Sequence, residues 1–191
     1  MYGGYPKTVT VGGEEYEINT DFRVWAQIDE LLFSGEISPE RAAQILGLCY
    51  KQRLPEDAKA AFEAVIRFHA AGKVQRKNGR KRMERQRRYV SFLYDEAYIS
   101  AAFFSEYNID LSSTDMHWWR FRTLFDGLSE NQKICEIINI RAADISKIKD
   151  KSARAYYSRA KSLYKLPDTR SEEEIEADGA EMLSRAIGGG I

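Results

Sequence analysis

The sequence is poor in the residues that most catalytic and metal sites use. Cys49 and Cys135 are its only cysteines, and His69 and His117 its only histidines. No C-x-x-C pair is present, and the histidines are too few and too far apart to suggest zinc. The cysteines read as free thiols that behave as small buried hydrophobes. No apolar run approaches the ~18 residues of a membrane helix. The opening stretch, MYGGYPKTVTV, lacks the charged and apolar regions of a secretory signal, so a cytosolic chain is expected. Four prolines and 13 glycines exclude a collagenous or wholly low-complexity chain. Phosphate loops, dinucleotide fingerprints, H-E-x-x-H and EF-hand loops are all missing. His69 reads as a packed or surface residue rather than a base. His117 reads as a residue that stacks or caps, with no nucleophile to pair with. Asp95 and Glu96 are adjacent, so on a helix they would point about 100° apart and form no two-carboxylate site. The expectation is a non-enzymatic protein with no cofactor and no metal.

What is present is enough for a core. The 191 residues are 43% apolar and include 23 aromatics. That fits one domain, or one domain plus a tail. The net charge of zero hides an asymmetry. Residues 73–88 carry Lys73, Arg76, Lys77, Arg80, Lys81, Arg82, Arg85, Arg87 and Arg88 against Glu84 alone, a net of +8. Residues 168–185 hold seven acids and two bases, a net of −5. Charge blocks of this kind mark flexible or interacting segments, because like charges resist packing.

The pattern predicts a mainly α fold: a multi-helix bundle with a short N-terminal β-hairpin. Thr8–Val11 and Glu14–Ile18 alternate around Gly12-Gly13, and pairing Val11 with Glu14 puts Val9, Val11, Tyr16 and Ile18 on one face. Thr20 is placed to cap a helix from Asp21 to about Ser34, with Phe22, Trp25, Ile28, Leu31 and Leu32 on its apolar stripe. Ser38-Pro39 starts a second helix carrying Ala42, Ile45, Leu46 and Cys49. Pro55 opens a third, with Ala58, Ala61, Phe62, Val65 and Ile66, ending at Gly72. Asn78-Gly79 breaks the basic segment, and a helix from about Met83 to Tyr107 follows. Asp115 to about Leu128 presents Trp118, Phe121, Leu124, Phe125 and Leu128. Ser129 and Gln132 fit a capping box for a helix with Ile134, Ile137 and Ile138. A last helix runs from about Asp150 to Leu166 and stops at Pro167. The expected core includes Trp25, Phe62, Ile99, Phe103, Phe121 and Ile138. The organisation read from this is a hairpin (1–20), a helical subdomain (21–72), a basic connector (73–88), a second helical subdomain (89–167) and an acidic, then Gly-rich, tail (168–191).

Three features carry alternative readings. The basic segment could bind nucleic acid by releasing counterions from phosphate, or be a solvated connector that docks on an acidic protein. Trp118-Trp119 could be an interface hot spot, or two core aromatics at a helix junction. The acidic tail could recognise a basic partner, or be a plain terminus.

From Tyr94 onward the order of motifs is distinctive. Tyr94-Asp95-Glu96-Ala97-Tyr98-Ile99-Ser100-Ala101-Ala102-Phe103-Phe104 is followed by Tyr107-Asn108-Ile109-Asp110-Leu111. Then come Met116-His117-Trp118-Trp119-Arg120-Phe121, Leu124-Phe125-Asp126-Gly127-Leu128, Ile137-Ile138-Asn139-Ile140-Arg141 and Asp144-Ile145-Ser146-Lys147-Ile148. With Phe22-Arg23-Val24-Trp25, this resembles the gene-product-fifteen family of phages and prophages of Gram-positive bacteria, over about residues 15–167. Asn108 stands where that family is expected to have glycine; asparagine also tolerates the left-handed conformation. The resemblance implies a tail assembly chaperone of a long-tailed phage, acting in the host cytoplasm. Its implied partners are the tape measure protein, the tail tube protein and further copies of itself, with no small molecule and no membrane. Nucleic acid is not the implied partner, and a DNA- or RNA-binding accessory factor or a structural tail subunit stand as alternatives. The candidate partner surface is the aromatic helix with Trp118, Trp119, Arg120 and Arg122. The candidate basic surface is Arg76, Lys77, Arg80, Lys81, Arg82, Arg85, Arg87 and Arg88.

Overall fold

A computed structural model describes residues 4–71 and 88–168. The hairpin forms where the alternation predicts it, with β1 at Thr8–Val11 and β2 at Glu14–Glu17. Its antiparallel register pairs Val11 with Glu14 and Val9 with Tyr16, as expected. Gly12 and Gly13 take φ of 60° and 88°, the left-handed angles this tight turn requires. Val11, Tyr16 and Ile18 are buried, while Glu15 and Glu17 face solvent.

Helix α1 spans Phe22–Phe33, and its cap is Asp21 rather than Thr20. The Asp21 carboxylate accepts from the Arg23 backbone N–H at 2.8 Å. Thr20 is used otherwise: its carbonyl accepts from the Trp118 backbone N–H at 2.7 Å. Helix α2, Pro39–Cys49, starts as read, with Ser38 accepting from the Arg41 N–H. Helix α3 is Ala58–His69, capped by Asp57, so Pro55 lies ahead of it and its end falls three residues short of Gly72. Its buried stripe is Ala61, Ala64, Val65 and Phe68; Phe62 packs at the margin of the core rather than inside it.

The largest departure from the sequence reading comes next. Helix α4 begins only at Glu96 and runs to Tyr107. Residues 88–91 are irregular and 92–95 form a turn, although Phe92 and Leu93 fit a helical period; the part of the expected helix before Arg88 lies outside the described residues. The reason is Asp95. Its carboxylate, fully buried, accepts from the Ser91 backbone N–H at 3.0 Å and closes the turn. Asn108 ends α4 with φ 53°, in the left-handed conformation anticipated for it.

Helix α5 is Trp118–Asp126, three residues shorter at its start than expected, because His117 is its cap. Helix α6, Lys133–Ala142, has no side-chain cap of its own. The capping-box pair is diverted: the Ser129 hydroxyl and the Gln132 amide both donate to Glu106 on α4, at 2.6 and 2.8 Å. Its buried residues are Ile134, Ile137 and Ile140, with Ile138 at the margin. A 3₁₀ turn at Ile145–Lys147 precedes α7, Lys151–Leu163, capped by Asp150 and ending short of Leu166.

One apolar cluster joins the hairpin, α1–α3, α4, α5 and the start of α6. Trp25, Ile99, Phe103 and Phe121 lie in it, as expected. Aromatic rings run through its middle: Phe121 stacks on Phe22 at 4.9 Å and on Phe103 at 5.2 Å, and Trp25 meets Phe68 at 4.6 Å.

Candidate partner-binding surface

The His-Trp-Trp stretch sits where the start of α5 meets the end of α3. His117 Nδ1 accepts from the Trp119 backbone N–H at 3.0 Å, satisfying one of the donors left orphaned at a helix start. Nε2 lies 2.8 Å from the Pro6 carbonyl oxygen, which only accepts, so Nε2 carries the proton. Tyr5 stacks on the same ring at 4.9 Å. Both nitrogens are satisfied in the neutral ring, and burial pushes its pKa below the usual 6.5, against the opposing pull of the Pro6 carbonyl. His117 therefore both stacks and caps.

Adjacent helical positions point about 100° apart, and the two tryptophans use that divergence. Trp118 is fully buried, packed on Trp25, Phe92 and Phe121. Trp119 is partly buried and packs on Phe68 at 5.3 Å. Their indole N–H groups donate to successive carbonyls at the end of α3, Trp118 to His69 at 3.0 Å and Trp119 to Phe68 at 2.9 Å. The last carbonyls of a helix lack partners within it, and here two side chains from another helix supply them.

Trp119 also borders an open groove of about 430 Å³, lined by Pro6, Thr8, Val9, Thr10, Ala64, Arg67 and Phe68 as well. One wall is β1 and the other is α3.

The other candidate residues divide. Arg120 is exposed. Arg122 points inward: its guanidinium lies 5.4 Å from the ring centres of both Phe92 and Trp118. The basic candidates Arg76, Lys77, Arg80, Lys81, Arg82, Arg85 and Arg87 lie outside the described residues. Arg88 is described and is not a free cation. It donates to Asp29 at 2.7 Å and to Glu30 at 2.9 Å, and its side chain is 15% exposed. His69 meets the other oxygen of the Asp29 carboxylate at 2.8 Å. His69, at the end of α3, and Arg88, the last residue of the basic segment, thus meet one carboxylate on α1.

Two arginines outside the candidate set prove central. Arg141 donates to both oxygens of Asp95 at 2.7 and 2.8 Å, and to the carbonyls of Tyr89 and Tyr164. Arg23 donates to the carbonyls of Leu111 and Thr114, holding the loop ahead of α5. Both lie within the motifs quoted above. Nothing in the sequence spacing pairs Arg141 with Asp95, or Arg23 with the carbonyls of the loop ahead of α5.

These contacts define a small, mainly helical protein whose distinctive motifs assemble its own core and leave one indole at an open groove. The chain matches the family model described as Bacteriophage Gp15 protein over residues 5–166, and it belongs to that family. No curated protein and no solved structure matches it.

Proposed function

We propose that this phage protein is a tail assembly chaperone that binds the tape measure protein in the host cytoplasm and shields it while the tail tube forms. The observation that carries this reading, beyond family membership, is the groove beside Trp119. A tape measure protein exposes long apolar helix faces before it is enclosed, and a groove in which Pro6, Val9, Ala64, Phe68 and Trp119 stand beside Thr8, Thr10 and Arg67 offers such a face an apolar floor with polar and basic neighbours. Partly buried tryptophans are frequent interface hot spots. Many weak copies along one long client are displaced readily by tube subunits, which suits transient binding. The protein acts stoichiometrically in this reading, without catalysis, with the tail tube protein as a second partner and with self-association along the client.

The test is co-expression with the tape measure protein of the same phage, followed by affinity capture and mass spectrometry of purified virions. The reading expects capture that resists salt and absence of the protein from finished particles. A structural tail subunit would remain in the particle. A nucleic-acid accessory factor would bind DNA or RNA with an affinity that falls steeply with salt.

A further inference from the structure

We propose that the outer face of α4 joins two copies of this chain, packed antiparallel about a two-fold axis at the level of Ala101. The face shares no residue with the groove beside Trp119. Association through it needs no client, so it is tested on this chain alone.

Helix α4 is apolar on two opposite sides. Glu96 and Glu106 are its only charged residues. Its inner side buries Ile99, Ala102 and Phe103. Its outer side leaves Ala97, Tyr98, Ala101 and Phe104 exposed, Phe104 to 60% where the adjacent Phe103 is at 0%. Tyr94 and Leu163, both exposed, extend that side across a hollow of about 300 Å³ that Tyr98, Arg141 and Tyr164 also line. A helix apolar all round belongs in an interior. Among the described residues, this side of α4 is open to solvent.

The spacing along α4 selects a second copy as the occupant. Seven residues make nearly two turns, so Phe104 stands in line with Ala97, about 10.5 Å further along the axis. Ala101 lies between them, within about 60° of both. A two-fold axis crossing the helix at that level lays the Phe104 of each copy on the Ala97 of the other and sets the two Ala101 side chains face to face. The large side chain and the small one that receives it are then exchanged by the symmetry, as a contact between identical patches requires. Alanines at the crossing let the helix axes approach to about 8 Å.

Charge and area fit the same arrangement. A two-fold axis brings exposed charges close to their own copies, where they repel. Ala97, Ala101, Phe104 and Ser105 carry none, and the Arg141 guanidinium in the hollow is paired with Asp95. The exposed parts of Tyr94, Tyr98, Phe104 and Leu163 offer on the order of 500 Å². With Ala97, Ala101 and Ser105 added, that is most of the roughly 800 Å² per copy in a standard stable interface.

The test is analytical ultracentrifugation of the full-length chain over a roughly hundredfold range of concentration. The native chain should pass from monomer to dimer as the concentration rises. Ala101→Arg sets two cations against each other at the axis, and Phe104→Lys removes the inserted ring. Each should weaken dimerisation by about tenfold or more. Both positions are exposed, so native helix content by circular dichroism is expected. An equimolar mixture of Phe104→Lys with Ala97→Glu should associate more tightly than either variant alone, because the lysine of one copy then lies on the glutamate of the other. A native chain that stays monomeric throughout would overturn the proposal. Dimers that Ala101→Arg and Phe104→Lys leave unchanged would also overturn it, since another surface would then hold them. A mixture no tighter than its components would overturn the antiparallel register.

Discussion

At the scale of single residues, the side chains that distinguish this chain act mainly on its own fold. Asp95 and Arg141 form a pair that is 0% and 7% exposed, and both carboxylate oxygens are engaged. Removing one member of such a pair leaves an uncompensated buried charge. Asp95→Ala should therefore lower the free energy of unfolding by ~3–5 kcal/mol in urea titrations, and adding Arg141→Met should restore only a part of it, because the Ser91 N–H and the Tyr89 and Tyr164 carbonyls then lose these partners. A loss below ~1 kcal/mol, the range of surface pairs, would contradict this account of the site. His117 makes a second prediction. In the unfolded chain its imidazole titrates near 6.5, and in the fold lower. Between those values the unfolded state holds more protons, so the contribution is complete above about pH 6.5 and is lost as the pH falls below it. His117→Asn keeps a helix-capping acceptor but cannot titrate. Its stability should fall less steeply than that of the native chain below about pH 6.5, and an identical slope would contradict the buried neutral ring.

At the scale of elements, helix ends decide the architecture. Asn108 closes α4 at φ 53°. Asn108→Val should cost ~1–2 kcal/mol, because a β-branched side chain resists this conformation, and Asn108→Gly should be tolerated. Equal stability of the two variants by thermal unfolding would show that the turn is not what ends the helix. The docking of α5 on α3 is also end-specific. Trp118→Phe keeps an aromatic ring but loses the bond to the His69 carbonyl, and ~1 kcal/mol or somewhat more should follow. These features differ in how far the sequence revealed them. The hairpin register was readable because strict alternation flanks Gly-Gly, and Ser38-Pro39 was readable because both residues act within one turn. The start of α4 was not, because the turn before it depends on Arg141, 46 positions from Asp95. The capping box failed for a similar reason: Glu106, more than 20 positions away, takes both of its side chains. Local signals survive when their partners are local.

At the scale of the whole molecule, the hairpin and six helical elements share a continuous core, and one of its motif residues, Trp119, also borders an open groove. The candidate site was half legible. One inward and one less buried tryptophan follow from helical geometry; His117 as the cap does not, because the pattern places the helix start at Asp115, two residues ahead of it. The receiving carbonyls of Phe68 and His69 do not, because a backbone oxygen carries no signature in sequence. The inward turn of Arg122 was equally hidden, since nothing in the sequence says that Phe92 lies across from it. The central claim is that the groove beside Trp119 captures the tape measure protein. The most direct measurement is affinity capture of that protein by the native chain, by Trp119→Ala, and by Thr10→Arg, which alters an exposed groove residue outside the core. The account predicts that both variants fold, as judged by circular dichroism, and that capture weakens tenfold or more, the ~1.4 kcal/mol or greater expected of a hot spot. Native-strength capture by both folded variants would contradict it.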